Sequence, residues 1–288
     1  MLLYNIMENL SREVTDFGKW LTGERKSRHT VREYTFLVSK FLEHCGKTAT
    51  EVTAREIEEY KHYMASVKRY AKSTQYLALK AIKLYLKFRN AELPGNLNPP
   101  TRSRKLPNYL NEKETSALIS KASGNLRNFS IILVLAYTGI RVSELCGLDI
   151  NDLDLGEKMI RIRSGKGDKD RIVILSDVCA SSVERYLEQR YSVKANTGAL
   201  FLSNKKGRMD TSTVERMVRK LASDAGISRR VTPHVLRHTF ATAVLRNGGD
   251  IRFIQQILGH ASVATTQIYT HIDDRLLRKM YEDHGPQY

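Results

Sequence analysis

The chain has 288 residues, 41% of them hydrophobic, with 47 basic and 31 acidic side chains and a formal net charge of +16. That length accommodates one large domain or two ordinary ones; no run of roughly 18 apolar residues exists to span a membrane, and the opening MLLYNIMENL lacks the basic start of a signal peptide. The positive surplus points to a polyanionic partner, nucleic acid ahead of anionic lipid, while Cys45, Cys146 and Cys179 fit no metal or disulfide spacing and suit reduced thiols in the cytoplasm.

Apolar periodicity predicts N-terminal helices over about 8–23, 28–45, 53–66 and 73–90. In the second, Thr30 is placed to cap a helix that carries Val31, Tyr34, Leu37, Val38, Phe41 and Leu42 on one face. From Tyr60 to Ala91 the chain holds eight basic residues and no acid: Lys61, Lys68, Arg69, Lys72, Lys80, Lys83, Lys87 and Arg89. Five tyrosines, Tyr60, Tyr63, Tyr70, Tyr76 and Tyr85, are interleaved with them. Lys80, Lys83 and Lys87 share a helical face, a surface suited to tracking phosphates. An ordinary solvated face is the alternative, although such faces usually mix signs. The stretch LPGNLNPPTRSRKLPN, 93–108, contains four of the six prolines and reads as an extended linker. It divides the chain into an N-terminal helical part, 1–92, and a second part, 109–288.

The second part is mostly helical with one clear β segment, so the fold class is mainly α with a small antiparallel β-sheet. In AYTGIRVSELCGL, 136–148, Gly139 reads as a helix terminator and Arg141 as the start of the next element. KMIRIRSGKGDKDRIVILS, 158–176, alternates on both sides of a Gly- and Lys-rich turn and reads as a hairpin with Lys166 at its tip. Further helices are predicted near 177–191, 210–226, 233–247, 250–258 and 262–270. Of these, TPHVLRHTFATAVL begins with Thr232 as N-cap and Pro233 at the first helical position. Leu236, Phe240, Ala243 and Val244 form its buried stripe, and His234 and Arg237 lie near one another, angled away from it. A positive helix start beside a guanidinium favours an anion. In IQQILGHASVATTQIYTH, Gly259 stops a helix, His260 follows, and Tyr269 falls near the end of a short helix capped by Ser262. Each island alone has a plain structural reading: a surface arginine, a lysine-rich turn, a satisfied polar pair, a packing tyrosine.

Together, the order Arg, Lys, His-x-x-Arg, Gly-His and Tyr nine residues on resembles the tyrosine recombinase (phage integrase) family, and within it the Xer-type site-specific recombinases. The match runs through TGIRVSEL, GKGDKDR, TPHVLRHTFAT and LGHASVATTQIYTH and covers essentially all of 107–272. The resemblance implies two domains that form a C-shaped clamp on double-stranded DNA, with a helical N-terminal domain and a catalytic second domain. It also implies the roles. Tyr269 is the nucleophile that forms a 3′-phosphotyrosyl intermediate. His234 is the general base toward it. Arg141 and Arg237 hold the non-bridging phosphate oxygens, His260 donates a further hydrogen bond, and Lys166 protonates the leaving 5′-oxygen, with Lys169 and Arg171 as local competitors for the phosphate. No metal, ATP or other cofactor is needed for a nearly isoenergetic exchange. The tail, 273–288, either packs on its own subunit or, as the resemblance suggests, docks on a neighbour and links a homo-tetramer at a short, near-palindromic site. Chromosome dimer resolution, with or without a second recombinase or a division-linked activator, is the biological role this implies. The competing readings are an integrase of a mobile element, a type IB topoisomerase and a non-catalytic DNA-binding regulator.

Overall fold

A computed structural model describes residues 2–91, 108–163, 170–250, 254, 257–258, 280–286 and 288, with backbone alone for 2–7. The chain divides into two compact units, Met1–Lys105 and Leu106–Tyr288. Among the described residues no helix is long and apolar enough to cross a membrane.

The first unit contains α1 (Leu2–Gly23), α2 (Arg28–Cys45), α3 (Ala54–His62) and α4 (Lys72–Phe88). Helix α2 is capped by Ser27, whose hydroxyl accepts from the Thr30 backbone N–H, so the expected cap Thr30 sits inside the first turn instead. The predicted helix over 53–66 is broken in two: regular α3 ends at His62, and a π-turn, Tyr63–Val67, follows it. Arg69 then takes a left-handed backbone (φ 49°) and redirects the chain into α4. The core is apolar and aromatic, with Phe17, Leu21, Phe41, Met64, Ile82 and Tyr85 sealed from solvent. One polar tie crosses it. The carboxylate of Glu13 on α1 accepts from the Tyr85 hydroxyl and, at 3.1 Å, from Arg89. Tyr60 and Tyr85 therefore belong to the core, not to a basic surface.

In the second unit, α5 (Glu112–Ala122), α6 (Leu126–Thr138) and α7 (Val142–Gly147) precede the sheet, and α8 (Asp177–Tyr191), α9 (Thr211–Asp224) and α10 (Pro233–Arg246) follow it. Helix α6 is the hub. Every residue from Ser130 to Thr138 is buried, as expected of a helix apolar on all sides, and α5, α8 and α10 pack around it. The predicted hairpin is present as β2 (Met159–Ile162) and β3 (Arg171–Ile174), antiparallel with Ile162 opposite Arg171. A third strand, β1 (Leu153–Asp154), pairs with β2 and gives the order β1-β2-β3. Ile160 and Ile162 face the core, while Arg163 turns outward to Asp149 and Asp152. The predicted helix over 250–258 is described at Asp250, which is not helical, and at Ile254, Ile257 and Leu258, which are, and that over 262–270 lies outside the described residues.

The C-terminal residues return to their own unit. The Tyr281 hydroxyl donates to the Tyr137 carbonyl at 2.7 Å, the Tyr288 ring meets Tyr137 edge-on at 5.0 Å, and the Asn247 amide donates to the Gly285 carbonyl at 2.8 Å. Of the two readings of the tail, this single chain adopts packing on its own subunit.

Candidate active site

The site grows from the end of α6. Gly139 terminates that helix in a left-handed conformation (φ 63°), which favours glycine. Space requires glycine as well, because a Cβ there would lie 2.6 Å from the Phe240 ring and 2.8 Å from Leu258. The close approach brings α6, α10 and the 257–258 segment into contact around one turn.

Helix α10 starts as its sequence dictates, with the Thr232 hydroxyl accepting from the Val235 N–H and Pro233 in the first turn. Its stripe of Leu236, Phe240 and Val244 is fully buried. Arg237 departs from the expectation that it angles away from this stripe: its side of the helix is buried, and the residue is 6% exposed. The guanidinium reaches through to the Gly139 carbonyl at 2.8 Å and the Leu258 carbonyl at 2.6 Å. The Gly139 carbonyl is one that the terminating turn of α6 leaves without an intrahelical partner. His234 stays exposed, with its ring perpendicular to that of His238 at 4.6 Å between centroids.

Arg141, two residues after Gly139, is the N-cap of α7. Its backbone N–H donates to one oxygen of Glu144 at 2.7 Å, and its guanidinium to the other at 2.8 Å. The Arg141 side chain remains 41% exposed. Glu144 also receives two bonds from Arg171 on β3, at 2.9 and 2.8 Å, and Arg171 Nε donates to the Ile257 carbonyl at 2.8 Å.

Arg141 and Arg237, some hundred residues apart in sequence, thus share one electrostatic neighbourhood. Burial first, and then the Arg141 charge, push Arg237 down to about 10; Glu144 opposes this and Arg171 adds to it. Burial alone would raise the Glu144 carboxyl, but the hydrogen bonds from Arg171 and Arg141 outweigh it and hold the group below its ordinary range. Burial, then His234 and Arg237, also lower His238. Two guanidinium groups bond the Glu144 carboxylate and a third, Arg237, lies within electrostatic reach of it, a concentration of positive charge that an anion stabilises.

Lys166, His260 and Tyr269 lie outside the described residues, as does Lys169. Glu144 and His238 are site residues that the sequence reading missed. Glu144 had a signal, since an acidic side chain three residues after an N-cap is the mark of a capping box. Among the basic residues of the first unit, Lys68, Arg69, Lys72, Lys80, Lys83 and Lys87 are exposed, whereas Lys61 is half-buried and paired with Glu58 at 2.7 Å. Lys68 lies over the Tyr63 ring, 5.6 Å from its centroid. Among the described residues no group of His, Cys, Asp or Glu side chains is placed to hold a metal ion.

Residues 108–275 match the phage integrase family, and residues 14–91 match the phage integrase N-terminal SAM-like domain. The chain therefore belongs to the phage integrase family, the tyrosine recombinases, enzymes that cut and rejoin DNA strands. Several of the relatives it matches are Xer recombinases. It is 38% identical over 273 residues to the tyrosine recombinase XerA of Pyrococcus horikoshii, covering 93% of this chain and 91% of that one. A crystal structure of XerA recombinase is 55% identical, with a TM-score of 0.54 over 97% of this chain and 100% of the other. The XerH site-specific recombinase bound to its difH substrate in a pre-cleavage complex is 25% identical, with a TM-score of 0.68 over 86% and 77%.

The depressed Glu144 carboxyl carries a pH signature. Its stabilising effect is complete above the ordinary glutamate range near 4.5 and fades as pH falls through the lower folded-state value. Glu144→Gln, which removes the carboxylate charge that two arginines share, should cost about 3 kcal/mol at neutral pH. In urea unfolding the gap from wild type should narrow as pH falls below the ordinary glutamate range; a gap of equal size at neutral and acidic pH would contradict the assignment.

Proposed function

We propose that this chain is an Xer-type site-specific recombinase that exchanges strands of double-stranded DNA at a short, near-palindromic site, and that it resolves chromosome dimers in the cytoplasm. The observation that carries the reading is the convergence of Arg141 and Arg237 beside the Gly139 turn. The Xer relatives and the DNA complex of XerH support its biological side.

In this reading the Tyr269 hydroxyl oxygen attacks the scissile phosphorus, the bond from phosphorus to the 5′-oxygen breaks, and the DNA 3′-phosphate is left esterified to the enzyme. A free phenol is ionised in only about one molecule per thousand at neutral pH. The proton must therefore leave as the bond forms, and His234 takes it. Lys166 delivers a proton to the departing 5′-oxygen. Arg141 and Arg237 neutralise the charge that builds on the non-bridging oxygens, and His260 adds a hydrogen bond; donors fixed in advance contribute roughly 2.7–4 kcal/mol each. Rejoining is the same sequence reversed with a different 5′-hydroxyl, so no external energy source is required. A suicide substrate nicked beside the cleavage position should trap a 3′-phosphotyrosyl adduct with wild type and none with Tyr269→Phe. Adducts that persist in the variant would remove Tyr269 as nucleophile.

In this reading each of the two units contributes its own contacts to the duplex. Within the first unit, Lys80, Lys83 and Lys87 contact phosphates, flanked by Lys68, Arg69 and Lys72, with Lys61 at the margin. The outward exposure of the three α4 lysines opposite the buried Ala78, Ile82 and Tyr85 supports this. Replacing all three with alanine should weaken binding and lower the slope of log affinity against log salt by roughly 2–3. An unchanged slope would place the phosphate contacts elsewhere.

On DNA, residues 273–288 of each subunit pass to a neighbour and close a ring of four. An identical neighbour offers the same Tyr137 site that Tyr281 and Tyr288 fill within a single chain. Deleting 273–288 should leave single subunits on DNA and stop strand exchange, read from the native mass of the complex and from recombinant product. Full exchange by the truncated chain would refute the linkage.

A further inference from the structure

We infer that Arg171 is a positioning residue of the cleavage site, one that registers Glu144 and the Ile257 carbonyl against each other and touches no phosphate. The inference rests on the proposed reading of the site as a phosphotyrosyl-forming centre. The side chain is 13% exposed, and three separate donors are engaged at 2.8–2.9 Å. The Nη1–Nη2 edge grips both oxygens of Glu144, and Nε holds a carbonyl. A guanidinium engaged at its terminal edge and at Nε has no parallel pair of N–H groups left to clasp a phosphate in two-point fashion. Arg171 is therefore unsuited to the role its place in GKGDKDR suggests.

Its grip joins three segments that are remote in sequence. Through Glu144 it fixes the guanidinium and the backbone N–H of Arg141. Through its own strand it anchors one side of the hairpin whose turn contains Lys166. Through the Ile257 carbonyl it holds the segment that leads, three residues on, to His260. The neighbouring carbonyl, Leu258, is held by Arg237. Two buried guanidinium groups from different elements thus clamp the consecutive carbonyls of Ile257 and Leu258. Displacing catalytic groups by about an ångström costs as much as 100-fold in rate, and Arg171 is the bond that all three segments share.

The test is single-turnover adduct formation on the nicked suicide substrate, with Arg171→Lys and Arg171→Gln measured beside wild type for DNA affinity, final adduct amplitude and first-order rate constant. Lysine keeps the charge but cannot span Glu144 and Ile257 together. Both variants should bind DNA within about twofold of wild type and reach the same amplitude, with the rate constant lowered roughly 10- to 100-fold. A methylphosphonate at the scissile position separates positioning from charge neutralisation. Removing the phosphate charge should shrink the defect of Arg141→Ala, whose guanidinium neutralises that charge, and leave the Arg171 defect in place. Rate loss that disappears on the methylphosphonate makes Arg171 a phosphate contact and overturns the inference. So does a fall in amplitude or thermal stability at an unchanged rate constant, which marks a merely structural residue. If wild type forms no adduct, the reading of the whole site fails and this inference with it; if Arg171→Lys cleaves at the wild-type rate, this inference fails alone.

Discussion

A guanidinium buried against its own backbone is the constraint from which the second unit is organised. Taking Arg237 out of water costs several kcal/mol, and the nearby charge of Arg141 adds to the cost. Bonds to the Gly139 and Leu258 carbonyls offset part of it, since a hydrogen bond to a charged group contributes about 1.5–3 kcal/mol. The remainder is a destabilisation held within the fold, which an anion beside the guanidinium groups would relieve. Charge placed in advance needs no reorganisation when negative charge develops beside it.

That constraint explains why α6 is so thoroughly enclosed. Gly139 must present its carbonyl to Arg237 while leaving room for Phe240 and Leu258, and tolerances of a few tenths of an ångström demand a rigid base. A helix with a continuous apolar run from Ile131 to Ala136 supplies it, packed by neighbours on every side. The placement of Arg237 rests on this enclosed helix, whereas the sheet contributes a short hairpin tied down by Arg163 and Arg171.

Features set by one or two residues were readable in the chain itself. Thr232-Pro233 fixes a helix start, Gly139 a helix end, and alternation around 158–176 a hairpin, because each follows from local backbone preferences. The less legible features depend on partners far away. A two-residue strand such as β1 has no periodicity to detect. Ser27 and Thr30 can both cap, and the choice depends on where α1 releases the chain. The burial of Arg237 cannot be inferred from its spacing, since it reflects carbonyls contributed by residues 98 positions before and 21 after it. Tyr60 and Tyr85 look interleaved with lysines in sequence, yet the helical turn separates them onto opposite faces, one wet and one dry.

The last residues before Gly139 lend this architecture a dependence on the far end of the chain. Tyr137 and Gly139 are alternate carbonyls of a single helix terminus; one is satisfied by a phenol from the C-terminus and the other by a guanidinium of α10. An oxygen shut away from solvent does not stay unbonded cheaply. Whenever Tyr281 is drawn out of its socket, the vacated oxygen must recruit water or a stand-in hydroxyl, and the rearrangement occurs two residues from the turn that sets the arginine. The terminus of the polypeptide is in this sense a structural plug, and the helix end beneath it registers whether the plug is seated.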